Sequence, residues 1–191
     1  MKSLRLFTLL ALSLLFLAPA SLAGSGSSRS KSAAPLTREE ALVLAFPKCK
    51  IEKTTIYLTK EQKAKASKLA KAKVNRNMVY VYEARREGKL VGTAYFDAHI
   101  VRTKKEIMMF VLNADGRIER TELLSFAEPP EYIPKDKWYK QFLGKKLDDK
   151  LSLKRGIAGV SGATLTARAT TDAARRVLAL HQVVKKEKKS E

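Results

Sequence analysis

The stretch that decides the fold is residues 78–126, which read MVYVYEARREGKLVGTAYFDAHIVRTKKEIMMFVLNADGRIERTELLSF. β-Branched and aromatic residues are frequent in it, and parts of it alternate between apolar and polar positions, as strands do. Two short segments, Arg86–Lys89 and Asn113–Gly116, have the glycine-containing turn chemistry of hairpins. The pattern predicts consecutive antiparallel strands over Met78–Ala84, Leu90–Val101, Glu106–Leu112 and Arg117–Phe126, with Gly92 as a bulge.

Helix signals flank this predicted sheet. Thr37 precedes an acidic turn and a short apolar run that stops at Pro47, and Thr59 precedes a lysine-rich segment that extends to about Lys73. Both threonines are therefore predicted to cap helices, and together with the hairpins they indicate an α+β fold, an antiparallel sheet flanked by helices. We also expect a strand over Ile51–Leu58. The apolar side of the lysine-rich helix should consist of Ala64, Leu69 and Ala72. The residues expected to cover the sheet are Trp138, Phe142 and Leu143.

Composition excludes several classes of protein. The 191 residues include 38 Lys+Arg and 19 Asp+Glu, which gives a formal charge of +19, and 45% are hydrophobic. These values argue against a polytopic membrane protein and against a wholly disordered chain. With one cysteine and two histidines, the sequence offers no internal disulfide, no cysteine-based zinc or iron–sulfur site, no attached c-type haem and no histidine-rich metal cage.

The first 23 residues have the pattern of a secretory signal. Lys2 and Arg5 precede an apolar stretch over Leu6–Leu17, and small residues stand before a cleavage point after Ala23. We therefore expect export to a periplasmic or other extracytoplasmic compartment, where Cys49 would be a free or buried thiol, or would pair between molecules. The predicted organisation is a signal peptide over 1–23, a flexible leader over 24–36, one domain over 37–184 and a charged tail over 185–191.

The segment Gly156–Leu180 combines three glycines, a cluster of hydroxyl residues and an amphipathic helix. A loop that delivers backbone amides and hydroxyls to a helix N-terminus favours a phosphate. An ordinary glycine loop with a threonine N-cap fits the same composition, so the residues alone leave both interpretations open. The apolar face of this helix is expected to contain Leu165, Ala169, Ala173, Val177 and Leu180, with Asp172 and Arg176 as an i,i+4 pair.

The hexapeptide Ser161-Gly162-Ala163-Thr164-Leu165-Thr166 resembles the signature of FMN-binding domains. Such domains occur in subunits of the sodium-pumping NADH:quinone oxidoreductase, in related electron-transport complexes, in membrane regulators of denitrification and in stand-alone exported proteins. The resemblance, which extends over Val79–Leu180, implies that Thr164 accepts FMN from a flavin transferase as a phosphoester. It also implies that Ser161, Gly162, Ala163, Leu165 and Thr166 shape the phosphate site.

Three positions, in two elements of the family pattern, depart from it. Glu128 matches a glutamate that lies near the flavin in a second family element, E-T-P-G, but Pro129 and Glu131 replace its threonine and glycine. The family has aspartate three positions before the serine, and this chain has Ala158 there. Covalent FMN at Thr164 and non-covalent FMN are therefore both open.

The function predicted from this resemblance is an exported FMN-binding electron carrier or redox subunit rather than a stand-alone enzyme. Its partners would be redox proteins, membrane-bound or haem-containing ones among them, and a flavin transferase if the flavin is attached; nucleic acid is not expected. The alternative is a cofactor-free basic module of the same fold, which docks acidic partners or anionic membrane through Lys60–Arg76.

A serine hydrolase is excluded. Gly159–Ala163 is similar to a nucleophile elbow but lacks the last glycine and the strand–helix context. We expect His99 to be a half-exposed sheet residue and His181 to compensate a helix dipole at the surface.

Overall fold

Hairpins with the predicted turn chemistry build the sheet. The computed structural model describes residues 36–187; the predicted signal peptide, most of the leader and residues 188–191 lie outside them. Glu87 and Gly88 both have positive φ (51° and 77°), as a tight two-residue hairpin turn requires, and Gly116 has φ 75° in the next hairpin. The strands are β1 (Lys50–Tyr57), β2 (Met78–Arg86), β3 (Lys89–Ile100), β4 (Lys105–Asn113) and β5 (Ile118–Phe126).

The five strands form one antiparallel sheet in the order β1-β2-β3-β4-β5. A bulge interrupts the β2–β3 register between Ala84 and Arg85, opposite the segment that contains Gly92. A Cβ atom at Gly92 would lie 2.7 Å from the Leu112 carbonyl oxygen, so glycine is needed for the close approach of β3 and β4 at this point. The sheet and helices confirm the predicted α+β fold.

Two helices begin at the predicted capping residues. Thr37 and Glu40 form a reciprocal capping box at the start of one helix, and Thr59 and Gln62 do so at the start of the other. The chain forms α1 (Arg38–Ala45), α2 (Lys60–Ala70), α3 (Asp136–Tyr139) and α4 (Thr164–Glu187), with short 3₁₀ turns at Pro130–Tyr132 and Lys140–Phe142.

Helices cover the two faces of the sheet unequally. On one face α1 packs with Phe46 over a small cluster that includes Tyr82, Met109 and Val111. On the other face α2 and α4 pack over the main core, which includes Tyr95 and Phe110. Within residues 36–187 no helix is both long enough and apolar enough to cross a bilayer.

Tertiary packing changes parts of two predicted helix faces and of the predicted cover of the sheet. The buried side of α2 consists of Gln62, Ala66 and Ala70, whereas Ala64 and Leu69 are exposed, because small residues at i,i+4 spacing allow α2 to approach α4 closely. Leu165 is 49% exposed, because it lies in the first turn of α4. Thr171, which is outside the predicted apolar face, is buried, and its hydroxyl donates to the Ala167 carbonyl. Trp138 and Phe142 cover the core as predicted, but Leu143 is exposed.

Candidate functional site

The loop before α4 is shaped by one glycine. Gly162 has φ 80°, a left-handed conformation that L side chains rarely adopt, and it turns the chain directly into the helix. The Ala163 amide donates to the Val160 carbonyl, and the Ala167 amide closes the first helical turn on the Ala163 carbonyl. Thr164, the first helical residue, is exposed and its hydroxyl donates to the Val160 carbonyl at 3.3 Å. The first-turn amides of such a helix have no intrahelical acceptor and point outward.

The α3 region holds this loop at two atoms of Ala158. The Trp138 indole N–H donates to the Ala158 carbonyl at 2.7 Å, and the Ala158 amide donates to Gln141 Oε1 at 2.8 Å. At Gly156 a Cβ atom would collide with the Lys150 carbonyl, so the loop passes close to the preceding backbone. The loop is therefore a fixed support for the start of α4.

A cavity of about 270 Å³ opens beside the start of α4. Six of the seven residues predicted for the cofactor site line it, namely Glu128, Gly162, Ala163, Thr164, Leu165 and Thr166. Ser161, the seventh, is exposed and lines a different depression with Trp138 and Gln141. The sequence reasoning missed Val101, Arg102 and Tyr132, which complete the wall. No local pattern marks these three, because the β3–β4 turn and the 3₁₀ turn bring them to the cavity through the topology.

Thr166 lines this cavity and has a buried hydroxyl. The residue is 1% exposed, and its Oγ1 has no hydrogen-bond partner among the described residues. A buried hydroxyl without a partner costs free energy, on the order of 1–3 kcal/mol. An anion at the start of α4 would satisfy that hydroxyl together with the outward amides, so these residues fit a phosphate group.

Glu128 fastens the turn that forms the opposite wall. Its Oε1 accepts from the amides of Arg102, Thr103 and Lys104 at 3.3, 2.6 and 2.7 Å, and from the Thr103 hydroxyl. Hydrogen bonds from these amides hold the pKa of the Glu128 carboxyl below its usual value. The resemblance implies a glutamate near the flavin, and Glu128 lines the cavity. Glu128 also positions Arg102, because it accepts a hydrogen bond from the Arg102 amide.

The two histidines differ from expectation. The side chain of His99 is only 8% exposed and lies between Asp97 Oδ1 (3.1 Å) and Glu106 Oε2 (2.6 Å). Burial opposes its protonation, but the two hydrogen-bonded carboxylates outweigh burial and raise the pKa of His99. His181 is buried rather than at the surface, because α4 continues past it, and its Nδ1 lies 2.9 Å from the Tyr95 hydroxyl. Burial lowers the pKa of His181 to about 4.

The structure also differs from prediction in the ion pair of Arg176 and in the contacts of the basic segment Lys60–Arg76. Arg176 binds Asp97 at 2.7 Å, so the partner in its ion pair is on β3 and not, as predicted, Asp172 on its own helix. In the Lys60–Arg76 segment, Lys71 forms an ion pair with Asp149, and Arg76 forms one with Asp97. The exposed lysines of this segment include Lys60, Lys65 and Lys68. Among residues 36–187 no group of three or more His, Cys, Asp or Glu side chains is placed to hold a metal ion.

Comparison with known proteins bears on the same part of the chain. A family model described as the FMN-binding domain matches residues 103–179, which contain Glu128, Tyr132 and the start of α4. The match spans less than half of the chain and leaves α1 through β3 outside it. No curated protein matches the chain.

Proposed function

We propose that this protein is an exported FMN-binding electron carrier that holds the FMN phosphate at the start of α4, and the match of residues 103–179 to the family model of the FMN-binding domain supports this. The observation that carries the proposal is the Thr166 hydroxyl, buried and without a partner beside the first turn of α4. FMN, when bound, supplies one- and two-electron redox chemistry. The protein contributes binding, orientation and electrostatics.

Some residues of the cavity wall are suited to the phosphate of FMN and others to its ring. Gly162 and Thr166 present amides and a hydroxyl to a phosphate, and Arg102 adds a cation at the opposite wall. Leu165 and Tyr132 offer apolar surface against which a planar ring packs. Glu128 is the only acidic residue among the described lining residues, and its carboxylate oxygen is engaged by three amides. The site is therefore electrostatically suited to an anion.

Thr164 is the residue that we propose for covalent attachment. Thr164 is exposed and lines the cavity, which gives a flavin transferase access to Oγ1, and its hydroxyl donates to the Val160 carbonyl. Attachment takes the FMN unit from a flavin dinucleotide: the Oγ1–P bond forms, the P–O bond to the departing nucleoside monophosphate breaks, and the hydroxyl proton passes to a base of the transferase. Non-covalent FMN in the same cavity is the alternative, since Ala158 stands where the family has aspartate.

Electron transfer, export and redox partners complete the proposal. The excess of basic residues (38 against 19 acidic) favours reduced, anionic flavin and attracts acidic redox proteins. The alternative function is a cofactor-free basic module that binds acidic proteins or anionic membrane. The exposed lysines of α2 support this alternative. Flavin content separates these two functions.

The experiment is co-production of the full chain with a flavin transferase, followed by intact-mass measurement and an absorption spectrum. We expect a flavin spectrum and one FMN adduct, which Thr164→Val abolishes without unfolding the protein. Ser161→Ala is the matched control and keeps the adduct, because Ser161 does not line the cavity. Yellow protein that loses its colour on denaturation indicates non-covalent FMN. Protein that binds no flavin in either form contradicts the proposal.

A further inference from the structure

The sheet separates along one line between β2 and β3. These strands pair from Tyr82 and Ala94 to the hairpin, whereas Met78–Val81 pairs with β1 and Tyr95–Ile100 with β4. Arg76 enters the gap: its Nη1 donates to the Phe96 carbonyl at 3.2 Å. The separated strands thus form a cleft in the sheet rather than a continuous ladder.

The cleft encloses about 790 Å³ and shares no lining residue with the cavity at the start of α4. Its size is in the range of small-molecule sites, about 300–1,000 Å³. The aromatic residues Tyr80, Tyr82 and Phe96 line it, with Phe96 edge-on to Tyr82 at 5.2 Å between ring centres. Tyr80 is 40% exposed; the Lys53 ammonium lies over its ring at 4.2 Å from the ring centre, which leaves the other exposed part of the ring to a ligand.

Cations dominate the charged groups that line the cleft. They are Arg38, Lys73, Arg76 and Arg176, against the single carboxyl of Asp172. The Arg38 guanidinium lies 5.7 Å from the centre of the Phe96 ring, which places a positive charge directly beside the aromatic wall. The lining therefore favours an anion that carries an aromatic ring.

A buried ionic network fixes the two inner arginines. Asp97 is fully buried; its Oδ2 binds Arg76 at 2.6 Å and its Oδ1 binds Arg176 at 2.7 Å. Each guanidinium makes two hydrogen bonds within the described residues, out of five N–H donors. The remaining donors belong to side chains that line the cleft and that are already oriented, so a carboxylate or phosphate would meet a preorganised pair.

We propose that this cleft is a second ligand site, which binds a small planar aromatic compound carrying a carboxylate or phosphate. The ring packs against Tyr80 and Phe96, and the anionic group accepts hydrogen bonds from Arg76 and Arg176. This inference is independent of the proposed flavin function, because the two cavities have no lining residue in common.

The test uses the flavin-free full chain and three probes: 2-naphthoate, its neutral analogue 2-naphthylmethanol, and the non-aromatic anion cyclohexanecarboxylate. Binding is followed by calorimetry and by amide chemical shifts. We expect saturable binding of 2-naphthoate, at least about tenfold weaker binding of either analogue, and shifts that concentrate at residues 76–82 and 94–99. Equal binding of the three probes, or shifts concentrated at 162–166, overturns the proposal.

Matched variants assign the binding to the cleft. Tyr80→Ala weakens 2-naphthoate by about fivefold or more, since it removes the exposed ring, and Arg38→Gln weakens it less. Tyr57→Ala is the control: this tyrosine is 74% exposed on β1 and does not line the cleft. An equal loss in the Tyr57 variant contradicts the assignment.

Discussion

At the scale of single residues, the candidate site depends on one polar atom that the fold buries without a partner. Thr166 lies in the first turn of α4, and its hydroxyl is buried without a partner among the described residues. A protein selected for stability alone gains nothing from this oxygen, because its desolvation is uncompensated. Such a group is commonly a place where function is retained at a cost in stability.

Thr166→Val is therefore expected to act in opposite directions on stability and on binding. Without flavin, the free energy of unfolding should rise by about 1 kcal/mol, because an unsatisfied hydroxyl is replaced by a methyl group of similar volume. FMN affinity should fall, because one phosphate donor is lost. Chemical denaturation of the flavin-free protein and a fluorescence titration with FMN measure the two effects. The control is Thr55→Val on exposed β1, and a variant that loses stability and keeps its affinity contradicts this role.

At the scale of elements, the loop over 156–163 and the α3 region act as one support. Trp138 and Gln141 bind the carbonyl and the amide of Ala158, while the Ala158 side chain faces solvent. The backbone at this position is therefore fixed, and a larger side chain can be added without disturbing the core.

Ala158→Asp should raise the fraction of chains that carry covalent FMN, because it restores the acidic residue of the family signature at an exposed, held position. Intact-mass spectra after co-production with the transferase give that fraction. Ala158→Asn is the uncharged control and should leave the fraction near the wild-type value. An unchanged mass distribution in the aspartate variant would show that another feature limits attachment.

The order of the elements explains what could and could not be predicted. Turn residues such as Gly88 and Gly116 and caps such as Thr37 and Thr59 act locally, so the hairpins and the starts of α1 and α2 follow from sequence. The burial of His181 and the position of Arg102 depend on how distant elements pack, and no local pattern encodes them. The separation of β2 from β3 was missed for the same reason.

At the scale of the whole molecule, two histidines, buried His181 and half-buried His99, act on stability in different ranges of pH. The pKa of His181 is lowered to about 4 from 6.5, so the unfolded chain binds more protons than the folded chain between these values. Stability therefore rises with pH over that range, by an amount on the order of 3 kcal/mol. The pKa of His99 is raised, so its contribution is present below pH 6.5 and is lost as pH rises through its folded value.

The free energy of unfolding should consequently be greatest near neutral pH and fall on both sides. Chemical denaturation between pH 4.5 and 9 measures this profile. His181→Gln should reduce the pH dependence of the free energy of unfolding only on the acidic side of the maximum. His99→Gln should reduce it only on the alkaline side. A profile that both substitutions leave unchanged would contradict the assignment of these histidines.

The separation of β2 from β3 also has a mechanical consequence. Two ribbons, β1–β2 and β3–β4–β5, share a ladder at one end only, over Tyr82–Arg86. At the open end the ribbons are joined not by paired strands but by the shared core, which contains Val81 and Tyr95, and by Arg76, which spans the opening. Any molecule that occupies the opening would brace the ribbons against each other, so that occupancy and rigidity of the sheet would increase together.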